Sequence, residues 1–224
     1  MLTFRILSAL LSYPMPELRG ETAEAERILR EEGLLTDGHL EIVCRFIRDL
    51  SNTSQLELES AYIEAFDRGR STSLYLFEHI HGESRDRGQA MVKLLMRYRM
   101  HGLELQSGEL PDFLPIFLEF LSTCSLKEAR KHLLEVADIV GLIGQRLRKR
   151  GAAYAPVLEA VASLVSRTID DQSPGNSNLE DRDDTPAALD AAWEEAPVMF
   201  TDGVLPASQL PVNAPSQSPL TKRS

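Results

Sequence analysis

The stretch 111–121, PDFLPIFLEFL, leaves this chain few ways to fold. Between Phe113 and Leu121 only Pro115 and Glu119 are not large and apolar. A helix that is apolar around its whole circumference must be wrapped by other elements. Phe113, Leu114, Ile116, Phe117, Leu118, Phe120 and Leu121 each contribute about 1.5–3 kcal/mol if fully buried. Glu109 and Asp112 stand at the entrance, where acids suit the positive end of a helix dipole and remain near solvent. Pro111 suits the first helical position. Pro115 removes a backbone donor just inside the helix, so a kink or a delayed start is expected. Glu119 is the one charge between Phe113 and Leu121, and it needs a partner or an exit.

The rest of the chain supplies wrapping helices. Leu7, Leu10 and Leu11 recur at helical spacing behind Thr3, a candidate cap. Residues 17–32 carry a thinner apolar stripe closed by Gly33. Leu40, Val43, Cys44, Phe46, Ile47 and Leu50 form the next apolar face. Leu56, Leu58, Ala61, Tyr62, Ala65 and Phe66 form another. Residues 67–73 read as a polar loop, and 74–77 as an extended segment or a tight turn. A helix opening at Glu83 or Ser84 presents Met91, Leu94, Leu95 and Tyr98. Ser125 caps what reads as one long helix, with Leu126, Ala129, Leu133, Val136, Val140, Ile143 and Leu147 in steps of three and four. Cations at 146–150 suit its negative end and Gly151 stops it. A last helix covers 153–168. No stretch alternates as a strand does, so the fold class is all-α: one helical-bundle domain over residues 1–169.

From residue 170 the composition shifts to Asp, Ser, Pro, Asn and Gly, which reads as a disordered tail over 170–224. Its one apolar island, at 189–200, holds Leu189, Trp193, Val198, Met199 and Phe200, including the only Trp of the chain. Such an island docks on its own domain or on a partner, or forms a transient helix. The net charge is −10. Residues 1–169 hold 24 acidic and 21 basic side chains; residues 170–224 hold 10 and 3. The body is nearly balanced and the tail is acidic, which argues against nucleic-acid binding. Cys44 and Cys124 are far apart and lie on apolar faces, as buried reduced thiols do. That favours the cytoplasm. The N-terminal segment lacks the pattern of a signal peptide, and no run is long enough for membrane insertion.

The segment 74–91, LYLFEHIHGESRDRGQAM, concentrates polar groups. Glu78, His79, His81 and Glu83 are of metal-ligating type. Their spacing is not HExxH, and two His alone do not close a tetrahedral shell, so no metal and no cofactor is expected. These residues instead tie a loop to nearby helices. GESRD lacks the second glycine and the preceding strand of a nucleophile elbow, and Ser84 reads as a helix cap. Arg85 and Arg87 oppose the dipole of the helix they open. They pair with Glu83, Asp86 or Asp112, or face an anionic ligand; pairing is favoured. No catalytic motif is present. Residue pattern alone leads to an interaction protein and stops there.

Three runs resemble the nitrate reductase molybdenum cofactor assembly chaperone family (NarJ, or nitrate reductase delta subunit): FDRGR at 66–70, the segment 74–91, and ELPDFLPIFLEFL at 109–121. The tail island LDAAWEEAPVMF is also similar to this family's C-terminal end. The resemblance implies a non-enzymatic, all-helical chaperone. Its partner would be the immature catalytic (alpha) subunit of respiratory nitrate reductase, alone or with the iron–sulfur subunit. The chaperone would hold that subunit ready for its molybdenum cofactor, assist iron–sulfur maturation and membrane attachment, and recognise its N-terminal segment. In related chaperones an acidic-Pro-Asp motif near this hub contributes to client recognition; Glu109, Pro111 and Asp112 match it.

Such a client segment, folding as a basic amphipathic helix, needs an apolar groove with acids on its rim. Tyr62, Phe66, Phe113 and Phe117 are candidates for the groove, with Phe117 more at home in the core. Glu109, Asp112 and Glu119 are candidates for the rim. The alternative is a helical regulatory adaptor that binds an amphipathic peptide without a role in cofactor insertion.

Overall fold

The computed structural model describes residues 1–81, 85–105 and 108–166; the tail with its island, and Glu83 and Ser84, lie outside them. Among the described residues ten α-helices follow one another: α1 (Leu2–Leu11), α2 (Thr22–Glu32), α3 (Asp37–Asn52), α4 (Gln55–Phe66), α5 (Leu76–His81), α6 (Arg85–Met100), α7 (Leu114–Thr123), α8 (Leu126–Leu134), α9 (Ala137–Lys149) and α10 (Ala155–Ser166). Short 3-10 turns lie at Pro16–Gly20 and Arg70–Thr72. Among the described residues no strand forms; a single antiparallel bridge joins Tyr75 to Phe113. No described helix is long and apolar enough to cross a membrane.

The apolar stretch becomes α7, and α1 lies along it. Leu114, Phe117, Leu118, Phe120 and Leu121 of α7 are buried with Phe4, Leu7 and Leu11 of α1. Pro115 delays the helix rather than kinking it. Phe113 is the N-cap, extended at φ −66° and ψ 120°, and Pro115 falls in the first turn, where its missing N–H has no intrahelical partner to lose. Pro111 therefore precedes the helix instead of opening it. The Pro115 carbonyl accepts a 2.6 Å hydrogen bond from the buried Ser8 hydroxyl, which pins α7 to α1. Glu119 takes the exit: it is exposed.

A second hub is α10. It packs on α9, α3, α8 and α1, and Val157, Leu158, Ala160 and Val161 are fully buried. Gly144 on α9 lets it approach closely. A Cβ there would sit 3.2 Å from the Leu158 Cβ and 3.3 Å from the Glu159 Cγ. Arg148 and Glu159 pair across the same contact.

Several local readings change. The long helix after Ser125 is two helices, broken at Glu135 and Val136. Ser125 does cap the first, in a reciprocal box with Glu128, and Ser54 and Glu57 do the same for α4. Thr3 does not cap α1. It sits inside the helix, buried, and the backbone N–H groups of Leu2 and Thr3 donate to the Glu32 carboxylate at 2.7 and 2.8 Å. Gly33 and Gly151 close α2 and α9 with φ of 57° and 70°, the left-handed turn that glycine adopts without penalty. Cys44 and Cys124 are buried free thiols, and burial raises both above the ordinary cysteine range.

Candidate functional site

A cavity of about 700 Å³ opens where the ends of α1 and α4 meet the start of α7. Its apolar wall comes from Tyr62 and Phe66 of α4, Tyr13 and Met15 beyond α1, Tyr75, Leu103, Phe113 and Ile116. Asp67, Glu104, Glu109 and Glu119 also line it, and among the described residues no Lys or Arg does. An apolar trough with four carboxylates and no cation favours a positively charged amphipathic ligand.

The aromatic floor is preorganised. Tyr62 is edge-on to Tyr13 at 5.5 Å, to Phe66 at 4.9 Å and to Tyr154 at 5.7 Å between centroids. Tyr62 is buried, and its hydroxyl donates to the Leu11 carbonyl at 3.1 Å. That hydroxyl is spent within the fold, so Tyr62 offers the trough only the side of its ring. Desolvation raises the Tyr62 phenol well above the ordinary tyrosine range and pushes the Tyr154 phenol up to about 12. Neither ionises near neutral pH.

The wall at Tyr75 and Phe113 rests on Asp112. The helix-entrance reading puts this carboxylate near solvent; the structure buries it completely, at 0 % exposure. The Asp112 carbonyl accepts from the Leu76 N–H at 3.0 Å, and its Oδ2 accepts from the Phe77 N–H at 3.1 Å. Leu114 N–H donates to the Leu74 carbonyl at 2.9 Å, and the Tyr98 hydroxyl donates to the Pro111 carbonyl at 2.6 Å. The residues before α7 are thus tied to the start of α5 and the end of α6. Burial raises the Asp112 carboxyl above its usual range, opposed by the Phe77 hydrogen bond and the Arg87 guanidinium 3.9 Å away. Its Oδ1 has no hydrogen-bond partner among the described residues. A basic side chain cannot meet Asp112 without opening this junction, so the direct rim contact expected of it does not fit the geometry.

The remaining candidates separate. Glu109 and Glu119 are exposed and line the cavity; Pro111 is buried and is not part of its lining. Phe117 is 2 % exposed and belongs to the core. Arg87 lies 3.5 Å from Glu78 and near Asp112, and the His79 Nε2 donates to the Ser73 carbonyl at 2.9 Å. The Arg87–Glu78 pair joins α6 to α5, and the His79 bond ties α5 to the segment that precedes it. The side chains of His81 and Arg85, and the whole of Glu83, lie outside the described residues. Among the described residues no three His, Cys, Asp or Glu side chains converge on one point. Tyr13, Asp67, Glu104 and Ile116 line the cavity without having been singled out by the sequence. Asp67 alone had a signal, as part of the FDRGR run.

The family model for the nitrate reductase delta subunit matches residues 35–160. The chain is 43% identical over 201 residues to the nitrate reductase molybdenum cofactor assembly chaperone NarJ of Escherichia coli K12, covering 89% of this chain and 85% of that protein. The probable chaperone NarW of the same strain is also 43% identical, over 88% of this chain and 83% of its own. A probable chaperone of the same kind from Bacillus subtilis 168 is 31% identical over 73% of this chain and 88% of its own.

Proposed function

The chain belongs to the nitrate reductase delta subunit family, and from that premise we propose that it is an assembly chaperone for nitrate reductase. It binds the immature catalytic subunit through that subunit's N-terminal segment, in the cytoplasm, before the molybdenum cofactor is in place. It acts by binding, without catalysis. The relatives' names support the chaperone role, and one observation supports the location of binding: the trough of about 700 Å³ with an aromatic floor, four carboxylates and, among the described residues, no cation.

Each part of the trough has a task in this reading. Tyr62, Phe66, Phe113 and Ile116 take the apolar face of the client segment, which contributes about 25 cal/mol per Å² of apolar surface removed from water. Glu109 and Glu119 stand at the rim and meet Lys or Arg of the client. Their exposure makes each contact weak, with more effect on encounter rate and salt dependence than on the bound state. Asp112 acts behind them by fixing the wall that carries Tyr75 and Phe113. Because the client leaves again, modest rim contacts over an apolar trough suit the task better than buried ion pairs.

Calorimetry with a peptide from the N-terminus of the catalytic subunit tests this. The wild type binds, and binding weakens as salt is added. Glu109→Gln with Glu119→Gln weakens it on the order of tenfold, about 1.4 kcal/mol for two exposed pairs. Failure of the wild type to bind removes the trough as the recognition site. Equal affinities across all salt concentrations leave an apolar contact alone.

A further inference from the structure

A second surface has the opposite character to the trough. On α6, Val92, Met96 and Met100 recur every fourth residue and are 52%, 58% and 87% exposed. This spacing makes one stripe along the helix. Lys93 and Arg99 stand on either side of it, both exposed, and neither makes an ion pair among the described residues. The opposite face of α6 is well held: Leu94 and Tyr98 are buried, and Arg97 reaches Glu135, just beyond α8, at 3.0 Å. The stripe is thus a fixed apolar strip flanked by cations. Methionines suit such a strip because their unbranched side chains adapt to what covers them.

We propose that the occupant of this strip is the chain's own apolar island at 189–200. Charge selects it. Residues 183–200 carry five acids, Asp183, Asp184, Asp190, Glu194 and Glu195, and no Lys or Arg. Over residues 85–100 the sequence holds five Lys or Arg against one Asp. The island's pattern also fits: Leu189 and Trp193 are one helical turn apart, and Asp190 and Glu194 follow at the same spacing on the adjoining face. Laid on α6, the apolar pair covers Met96 and its neighbours while the acids meet Lys93 and Arg99. The same charges exclude the trough, whose four carboxylates repel the island. Reach permits it. Between Ser166, where α10 ends, and Leu189 lie 22 residues, able to span about 75 Å when extended. α10 packs on α8, and Glu135, which follows α8, pairs with Arg97 of α6. Tail and client then occupy separate faces, and the groove stays open with the tail in place.

The only tryptophan of the chain lies in the island, so its fluorescence reports the docking in the unmodified full chain. Trp193 is expected to emit to the blue of free tryptophanamide and to resist acrylamide quenching several-fold. Lys93→Glu with Arg99→Glu, and separately Met96→Gln, are expected to move the emission to that of free tryptophanamide while circular dichroism stays helical. Client peptide at saturation is expected to leave the emission unchanged. Water-like emission in the wild type overturns the proposal, as does blue emission in both folded variants. Loss of blue emission on adding client peptide places the island in the trough instead. Emission that shifts with protein concentration assigns the strip to a second copy. Client binding by calorimetry is read separately, so either idea can fail without the other.

Discussion

α7 and α6 are neighbours that touch through Tyr98 and Phe120, with ring centroids 4.9 Å apart, yet they answer to different constraints. α7 is apolar on nearly every side and wrapped; α6 is buried on one side and leaves an apolar strip in water. A wrapped helix has its surroundings dictated by its own sequence. A half-wrapped one keeps a face whose composition packing does not explain. The difference teaches where to look for binding: at the rim of the first and along the open face of the second.

The sharpest test of that contrast is a pair of charge insertions. Phe117→Asp buries an unpaired carboxylate among apolar helices, at a cost of several kcal/mol against a total stability of about 5–15 kcal/mol. Loss of cooperative thermal unfolding and of helical dichroism is expected. Its mild partner, Phe117→Ala, should fold but lose about 3–5 kcal/mol in urea titration. A normal melting transition for Phe117→Asp would break the contrast, because α7 would then have an open side.

The junction between the two helices comes next. Asp112→Ala removes the carboxylate that accepts from the half-buried Phe77 N–H and should cost about 1–3 kcal/mol. Asp112→Asn keeps an oxygen for that N–H and should lose less. Their pH behaviour separates charge from shape. The folded Asp112 carboxyl titrates above its unfolded value of 3.8, so the fold binds its proton more tightly than the unfolded chain does. This group's favourable contribution is complete below pH 3.8 and is lost as pH rises through the folded value. The stability of wild type relative to Asp112→Asn should therefore grow as pH is lowered through that window. A difference independent of pH would mean that Asp112 is not buried in solution.

Much of α7 was legible because composition alone requires a continuous apolar run to be covered. The cap at Ser125 was equally local, and it stands; the matching box of Ser54 with Glu57 is just as local but was not read from the sequence. Asp112 was misread for the opposite reason. Its partners, the N–H groups of Leu76 and Phe77, lie 35 residues or more away in sequence, and nothing in PDFLP announces them. The break at Glu135 and Val136 was hidden too. No Gly or Pro marks it, and Val136 keeps the three-four rhythm. What distinguishes it is tertiary: Arg97 of α6 lies 3.0 Å from the Glu135 carboxylate and 3.1 Å from the His132 ring. The trough was legible as a need, aromatic residues near acids, but its membership depends on which ends of which helices meet.

The smallest expected effects fall on the open faces and complete the comparison. Glu32→Gln should weaken the cap on α1 by about 1 kcal/mol, since the amide replaces a carboxylate that accepts from two N–H groups. Met96→Gln should change stability by no more than about 0.5 kcal/mol, as expected of an exposed side chain with no buried partner. Both are read from urea midpoints. A loss of several kcal/mol at Met96 would show that the strip is already part of the core.

The bond from Leu114 to the Leu74 carbonyl has a kinetic meaning. It closes a loop of roughly 40 residues, and bringing such ends together costs about 3 kcal/mol in chain entropy. That cost falls on a handful of hydrogen bonds at one junction, whereas α1 and α7 share a broad apolar contact. The junction should therefore be the first part of this region to open while the rest of the fold stands. In hydrogen exchange, the amides of Leu76, Phe77 and Leu114 should trade with solvent at one common rate, ahead of those in the interior of α7. The wall carrying Tyr75 and Phe113 would swing on that timescale, so the width of the trough is set by the lifetime of a latch.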